Sequence, residues 1–189
     1  KALQLSQKTN PPLLEWLRSP IIYLERYSTA QQMRDLAPEC YSPTACQYHY
    51  YNMAKSNYRE YLQGEVVWVK KYFYVLRPVL AVIWLERDMG IVPTRFQDLV
   101  EGVVDSDVLK DAIYQLIDKK RAGLELDQGP RVPVLSDFLN QEFLRMEQGG
   151  FERHSGSCSD RELDFVFRTA LEEVWSEDHG FMSILNDPC

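Results

Sequence analysis

The sequence predicts an all-α fold, a helical bundle of about seven helices. Apolar residues recur at helical spacing over most of the chain, and no alternating run is long enough to form a sheet. With 45% hydrophobic and 12% aromatic residues among 189, the chain has enough apolar surface for a core. We expect a principal helical domain at residues 1–148, followed at 149–189 by a linker, a terminal helix and a tail.

The predicted helices of the N-terminal half begin at identifiable caps. Asn10 caps a short helix whose first positions are prolines. After an extended piece at Ile21–Leu24, one helix runs from Ser28 to about Ala37, and a longer one occupies Ser42–Gly64. The longer helix carries a predicted apolar stripe of Tyr48, Tyr51, Tyr58 and either Tyr61 or Leu62.

The segment Val67–Met89 is apolar on nearly every side, so we expect it to be the central helix. Pro78 removes a backbone donor inside it and should kink it. The remaining predicted elements are a short helix from a Thr94 cap to Val100, a Ser106-capped helix at Asp107–Arg121, a loop at Gly123–Val132, a helix at Pro133–Gln148, a linker at Gly149–Ser159 and a last helix at Asp160–Ser176.

The net charge of −7 argues against broad, nonspecific adhesion to nucleic acid or to an anionic membrane. A local basic patch remains compatible with it. No apolar run reaches the ~20 residues that cross a bilayer, so no membrane partner is expected. Because the chain begins at Lys1 in what reads as the middle of a helix, we also expect it to be the remainder of a longer protein.

The four cysteines are Cys40, Cys46, Cys158 and Cys189. None forms a Cys-x-x-Cys pair, and the pattern favours reduced thiols in a cytoplasmic protein. A zinc site could in principle combine Cys40, Cys46, His49, His154 and Cys158, but these spacings match no common zinc pattern. We therefore predict no metal site in this chain.

Gly156 and Ser157, followed by Asp160 and Asp164, imitate the Gly-Ser and paired-aspartate elements of metal-dependent nucleotidyl transfer. Those aspartates must project from adjoining strands to bridge two magnesium ions. Asp160 is instead predicted to cap a helix, with Asp164 one turn further on its surface. We reject this site and predict no catalytic residue in the chain.

Candidate binding residues lie on two neighbouring predicted helices. Lys70, Tyr74 and Arg77 are spaced i, i+4 and i+7, which places them on one helix face. Lys71 adjoins them, and the preceding helix contributes the cations and ring of Lys55, Tyr58 and Arg59. If the two helices pack antiparallel, these groups share a groove. Such a groove suits a nucleotide, because cations bind phosphates and ring faces bind a base.

Arg77 stands in an otherwise apolar helix, and its partner decides how the function is interpreted. A buried charge without a partner is costly, so its guanidinium must meet an anion, a backbone acceptor or water. The alternative to a ligand site is an internal ion pair with Glu15 or Glu60, with the nearby lysines simply solvated. The residues alone leave both possibilities open.

Four segments carry a family resemblance. They are NPPLLEWLRSPIIY (Asn10–Tyr23), YSPTACQYHYYNMAKSNYREYLQGE (Tyr41–Glu65), VKKYFYVLRPVLAVIWLE (Val69–Glu86) and KKRAGLELDQGPRVPVLSDFL (Lys119–Leu139). Over about Lys8–Glu147, the chain resembles the predicted nucleotidyltransferases of the DNA polymerase beta superfamily that include the RNA-ligase-associated type.

The resemblance implies a parent enzyme with an α/β catalytic domain, in which a Gly-Ser turn and an Asp-x-Asp pair hold Mg²⁺ and a nucleoside triphosphate. A helical domain follows it, and this chain matches only that helical part. The magnesium ligands would therefore lie outside the chain, and the chain alone would be inactive. The resemblance further implies that a cleft facing the catalytic domain is lined by several of Lys55, Asn57, Tyr58, Lys70, Lys71, Tyr74 and Arg77.

Three functions follow as hypotheses. In the first, residues 1–148 position a nucleoside triphosphate or its acceptor, an RNA or a small molecule, for transfer of a nucleoside monophosphate. In the second, the chain is a non-catalytic interaction module whose tyrosine-rich helix docks a partner or forms a homodimer. In the third, it is a helical domain that binds an RNA end, which the acidic balance disfavours over a broad surface but not in a local groove.

Overall fold

The structure, a computed structural model, describes residues 1–123, 126–151 and 158–185, with the backbone alone for 177–185. Nine helices and two three-residue strands in these residues confirm the all-α class. The elements are α1 Ala2–Gln7, α2 Pro11–Leu17, α3 Thr29–Cys40, α4 Pro43–Tyr61, β1 Val66–Trp68, α5 Lys71–Glu86, α6 Phe96–Val103, α7 Asp107–Arg121, β2 Gln128–Pro130, α8 Pro133–Gly149 and α9 Asp160–Leu185. Among the described helices, none combines the length and the apolar character that a bilayer span requires.

The backbone forms two compact units. Unit 1 comprises Lys1–Ser42 and Ser155–Cys189, and unit 2 comprises Pro43–His154. Unit 1 is therefore built from both ends of the chain, with unit 2 inserted between them. The predicted functional division between residues 148 and 149 stays a prediction.

Unit 1 contains α1, α2, α3 and α9. The predicted Asn10 cap is confirmed, because its side chain accepts a hydrogen bond from the Leu13 backbone N–H at 3.1 Å. The apolar core of the unit joins Leu13 of α2, Met33 of α3 and Val166 of α9. Burial of these side chains against one another holds the short α2 in place, since a helix of this length is marginal in isolation.

Helix α9 begins with a capping box rather than with the predicted Asp160 cap. The Ser159 Oγ accepts from the Glu162 backbone N–H at 3.3 Å, and the Glu162 Oε2 accepts from the Ser159 backbone N–H at 3.0 Å. This reciprocal pair satisfies two otherwise unpaired amides at the helix start. Of the predicted linker, 152–157 lies outside the described residues.

The prediction of reduced thiols is wrong for two of the cysteines. Cys40, at the end of α3, is disulfide-bonded to Cys158, just before α9, with the two Cα atoms 4.3 Å apart. The two residues are separated by 118 positions, and no local sequence pattern predicts a disulfide over that separation. Cys46 is free and buried in unit 2, and Cys189 lies outside the described residues.

Unit 2 is organised around α5, as predicted. Seven residues of this helix are completely buried, namely Tyr72, Val75, Leu76, Val79, Leu80, Ala81 and Val82. Helices α4, α6 and α8 pack against it. The helix continues through the buried Pro78, whose missing N–H removes the amide that would bond the carbonyl of Tyr74.

A small antiparallel ribbon corrects the predicted start of the central helix. Val66–Trp68 pairs with Gln128–Pro130, with Val67 opposite Gly129. The sequence predicts helix from Val67 and only a loop at Gly123–Val132, and both predictions are wrong at the ribbon. Three-residue strands are too short to display the alternation by which strands are recognised. Helix α5 consequently begins at Lys71.

Helix α4 buries a different face from the predicted tyrosine stripe. Its buried residues are Cys46, Gln47, Tyr50 and Ala54, and Tyr48 is 50% exposed. Small side chains at two of these positions allow α4 to lie close to α5, whereas a row of phenols would hold the helices apart. A second local correction is at α6, whose N-cap is Arg95 rather than Thr94.

Candidate functional site

Arg77 opens onto a pocket of about 620 Å³ within unit 2, which we term the Arg77 pocket. Three helices contribute to it: α5, the start of α6, and the last turns of α7. Its lining residues are Phe73, Arg77, Arg95, Phe96, Gln97, Ile117, Lys120 and Arg121. This volume falls in the range of about 300–1,000 Å³ that is typical of small-molecule sites.

The local structure explains why cations gather at this point. Lys120 and Arg121 occupy the last turn of α7, where the helix dipole favours positive charge. Arg95 has extended backbone as the N-cap of α6. Arg77 is half-buried in the middle of α5, and its Nη2 donates to the Pro93 carbonyl at 3.2 Å. A backbone acceptor was one of the partners expected for this guanidinium.

Aromatic rings form part of the pocket wall. The rings of Phe73 and Phe96 meet edge to face, with centroids 6.0 Å apart and planes inclined by 79°. The Lys120 Nζ lies 4.9 Å from the Phe73 ring centroid, within cation–π range. The pocket therefore places apolar ring surface beside positive charge.

The charged residues that line the pocket are all positive. Four of its eight lining residues are cationic and none is acidic. Arg95 reaches the exposed Asp98 only at 4.0 Å. Lys120 and Arg121 make no ion pair with any residue in the part of the chain that the structure describes. An anion bound in the pocket would meet this excess charge, and guanidinium groups suit phosphate in particular.

A second pocket in unit 2, of about 470 Å³, lacks this charge excess. Its arginine, Arg145, donates to Glu86 at 2.6 Å and to Glu142 at 2.7 Å. These carboxylates, Glu86 foremost, raise the pKa of the Arg145 guanidinium. Because its positive charge is already matched, this pocket is a weaker candidate for an anion.

Of the predicted site residues on α4, Lys55 and Tyr58 contact α8, and none lines the Arg77 pocket. Lys55 forms an ion pair with Glu147 at 2.8 Å, and this carboxylate raises the pKa of the lysine. The Tyr58 hydroxyl donates to the Asn140 side chain, and burial raises the pKa of this phenol. The Asn57 side chain donates to the Met53 carbonyl one turn back at 3.0 Å.

The predicted residues at the start of α5 form a cluster with two further rings. The Lys71 Nζ lies 3.7 Å from the Tyr61 ring centroid and 4.8 Å from that of Tyr74. The Lys70 Nζ lies 5.2 Å from the Trp68 ring centroid. The structure thus brings Lys71 and Tyr74 together, and it places Arg77 in a pocket with residues that the sequence interpretation did not name.

Sequence reasoning missed Arg95, Lys120 and Arg121 as partners of Arg77. Lys120 and Arg121 belong to the motif that begins KKRAGLELD, which was noted for resemblance but not for charge. A basic run at the end of a predicted helix was the available signal. Phe73 was also available, since it precedes Arg77 by four positions and so shares its helix face.

A family model described as the RNA repair pathway DNA polymerase beta family matches residues 1–169. The chain belongs to this RNA repair pathway DNA polymerase beta family. The match confirms the predicted superfamily. The narrower prediction, that the chain is only the C-terminal helical portion of a longer protein, is not supported by it and stays a prediction.

Among curated proteins, the chain is similar to the "Uncharacterized protein YcgL" of Bacillus subtilis (strain 168). It is 42% identical to the chain over 178 residues, which are 94% of this chain and 68% of YcgL. No solved structure matches the chain. The family assignment therefore comes from sequence comparison, and the pocket geometry adds chemical detail that the comparisons do not contain.

Proposed function

We propose that unit 2 binds the phosphates of a nucleoside triphosphate in the Arg77 pocket, as the helical part of a nucleotidyltransferase. The observation that carries this proposal is the presence of four cations and two phenyl rings, with no carboxylate, around one cavity. Membership of a polymerase beta family supports it, because nucleotides are the substrates that such a family name implies.

In this proposal the chain binds and orients its substrates. The guanidinium groups of Arg77 and Arg95 neutralise phosphate charge, and the Phe73 and Phe96 rings exclude water from one side. The acceptor attacks the α-phosphorus in line, a bond to the nucleoside monophosphate forms, and pyrophosphate leaves with the electron pair of the broken bond. The acceptor is an RNA or a small molecule.

The pocket does not fit the Mg²⁺ ion that was expected in the parent enzyme. Magnesium takes carboxylate, carbonyl or water oxygens, and the charged residues of the Arg77 pocket are all cations. No cluster of three potential metal ligands occurs among the described residues either. That magnesium is held by residues outside this chain remains part of the proposal.

The test compares two neighbouring lysines of α7 by titration with ATP. Lys120 lines the pocket, whereas the adjacent, exposed Lys119 does not. A charge-assisted contact contributes about 1.5–3 kcal/mol, so Lys120→Gln should raise the Kd roughly 10- to 100-fold. Lys119→Gln is the matched control and should leave the Kd unchanged. Equal affinities of the two variants would overturn the proposal.

A second candidate function is an interaction module, favoured by an exposed apolar segment in unit 1. Tyr23 is 95% exposed and Leu24 83% exposed, and Trp16 nearby in sequence is 75% exposed. The tyrosine-rich α4, by contrast, already uses Tyr58 in packing against Phe143 at a centroid distance of 4.7 Å. Light scattering of the wild type and of Tyr23→Ser would detect a homodimer; a monomer in both would remove that possibility.

A further inference from the structure

A surface beside the Arg77 pocket alternates lysines with aromatic rings. We term it the α5 platform and define it by Tyr61, Trp68, Lys70, Lys71 and Tyr74. Lys70 is exposed and Tyr74 is 58% exposed. Each lysine stands over a ring of the same surface, at 5.2 Å for Lys70 and Trp68 and at 3.7 Å for Lys71 and Tyr61. Cations and aromatic rings therefore lie together on this surface, with Tyr74 as its most exposed ring.

The α5 platform and the Arg77 pocket share one face of α5. A helix turns about 100° per residue, which places Phe73, Arg77, Lys70, Tyr74 and Lys71, in that order, within an arc of roughly 160°. Over residues 70–77, the buried side chains of Tyr72, Val75 and Leu76 point outside this arc. An extended ligand could thus pass along the arc from the platform to the pocket without crossing these buried side chains.

We propose that the α5 platform binds a single strand of nucleic acid whose reacting end is directed toward the Arg77 pocket. One base stacks on the exposed ring of Tyr74 and another against the part-buried ring of Trp68, and Lys70 and Lys71 meet the phosphates between them. This inference rests on the proposed function, because it identifies the strand as the acceptor of the nucleotide. Of the two acceptor classes in the proposed function, it selects a nucleic acid strand over a small molecule.

The charge distribution favours a short strand over a broad anionic surface. The chain carries a net charge of −7, which opposes extended contact with a duplex or a membrane. The Glu60 carboxylate beside Tyr61 also raises the pKa of that phenol, so one side of the platform is acidic. Ring stacking is largely indifferent to this overall charge, whereas a membrane surface would offer no bases to stack.

The test measures the fluorescence anisotropy of labelled ten-nucleotide oligo(U) and oligo(dT) with the wild type, Tyr74→Leu and Tyr74→Phe. Loss of one stacking ring should raise the Kd at least about fivefold in Tyr74→Leu. Tyr74→Phe keeps the ring and should bind like the wild type. The ratio of the two oligonucleotide affinities then identifies the preferred sugar. Equal binding by Tyr74→Leu and the wild type, or no binding by the wild type, would overturn the inference.

A second variant guards against a folding effect at Tyr74. Lys70 is exposed, and Lys70→Gln should lower the slope of log K against log salt by about 0.7 for a single strand. Lys119→Gln, which alters a residue of neither the platform nor the pocket lining, should leave the slope unchanged. A Lys70→Gln slope equal to that of the wild type would contradict phosphate contact by this lysine.

Titrating the same variants with ATP separates this inference from the proposed function. Tyr74→Leu should weaken the oligonucleotide alone, and Lys120→Gln should weaken ATP. If ATP binding depends on Lys120 while no oligonucleotide binds, the platform inference fails and the triphosphate site stands. If the oligonucleotide depends on Tyr74 while ATP does not bind, the triphosphate site fails and the strand-binding surface stands.

Discussion

The Tyr72 hydroxyl lies 2.6 Å from the Ser136 Oγ, and both residues are buried. The same hydroxyl accepts a hydrogen bond from the Val132 backbone N–H at 3.0 Å. One phenol therefore connects the first turn of α5 to the start of α8. Because α5 carries Phe73, Tyr74 and Arg77, this connection positions the residues of both proposed sites.

Tyr72→Phe should lower the free energy of unfolding by more than the net contribution of the hydrogen bonds it removes, because polar groups are left unpaired. The variant leaves the buried Ser136 hydroxyl and the part-buried Val132 amide without this partner, and a buried polar group left unpaired costs about 1–3 kcal/mol. Urea unfolding measures the loss. Tyr114→Phe is the matched control, because the Tyr114 hydroxyl bonds the exposed Glu101 and its removal should cost less. Equal losses in the two variants would contradict the structural role of Tyr72.

Gly102→Ala sets two effects against each other in α6. Alanine raises helix propensity by about 1 kcal/mol, but a Cβ at this position would lie 2.5 Å from the Trp84 ring. That ring is held by a hydrogen bond from its Nε1 to the Met89 carbonyl at 3.1 Å. Overpacking costs about 1–3 kcal/mol, so thermal unfolding should show a net loss.

The control for Gly102 is Gly149, at the end of α8. A Cβ at Gly149 would meet no atom within 4 Å, so Gly149→Ala keeps the propensity gain without the clash. We expect its melting temperature to be unchanged or slightly raised. A rise in melting temperature for both variants would show that Trp84 moves aside freely.

Reduction of the Cys40–Cys158 disulfide should destabilise unit 1. The bond closes a loop across 118 residues, and such crosslinks contribute about 2–5 kcal/mol, on a chain-entropy account by restricting the unfolded state. Chemical unfolding with and without dithiothreitol measures the effect. Cys158→Ser should resemble the reduced protein and should be indifferent to the reductant. If the free energy of unfolding of the wild type is the same with and without dithiothreitol, the disulfide does not stabilise the protein.

Two carboxyl groups of unit 1 predict a dependence of stability on pH. The Glu162 carboxylate raises the pKa of the Glu39 carboxyl above its usual 4.5. A raised folded-state pKa means that the stabilisation is complete below the unfolded pKa and is lost as pH rises through the folded value. Glu39→Gln cannot ionise, so its melting temperature relative to the wild type should increase between pH 4 and pH 7.

The control for this pH effect is Glu172→Gln, which changes an exposed carboxylate on α9, the helix that carries Glu162. Its melting-temperature difference from the wild type should stay flat over the same range. A parallel rise in both variants would assign the effect to the overall negative charge of the chain and not to the carboxyl pair.

Local signals explain which elements were predictable from the sequence. Asn10 and Ser106 were identified as caps because a cap bonds an amide within three residues, at Leu13 and at Leu109 respectively. The centrality of α5 was predictable because it is apolar on nearly all sides. Elements that depend on distant partners were not: β1 pairs with residues some sixty positions away, and neither strand is stable alone.

In the candidate site, too, only the residues with a local sequence signal were predictable. Arg77 was predictable from the sequence, since it is a lone cation in an apolar helix and a buried charge requires a partner. Its neighbours Arg95 and Lys120 come from two other helices, and only tertiary packing brings them to it. Lys55 and Tyr58 were expected in the same groove, but their partners on α8 are Glu147 and Asn140. Their proposed role in ligand binding stays a prediction.

Pro78 has a chemical consequence for the middle of α5. The carbonyl oxygen of Tyr74 keeps a lone pair that a regular helix would have engaged, while the charged side chains on either side, Lys71 and Arg77, can only donate. Helix α5 thus runs on without interruption, but it carries one backbone acceptor that lacks its regular helical donor, in a stretch where the neighbouring cations offer donors alone.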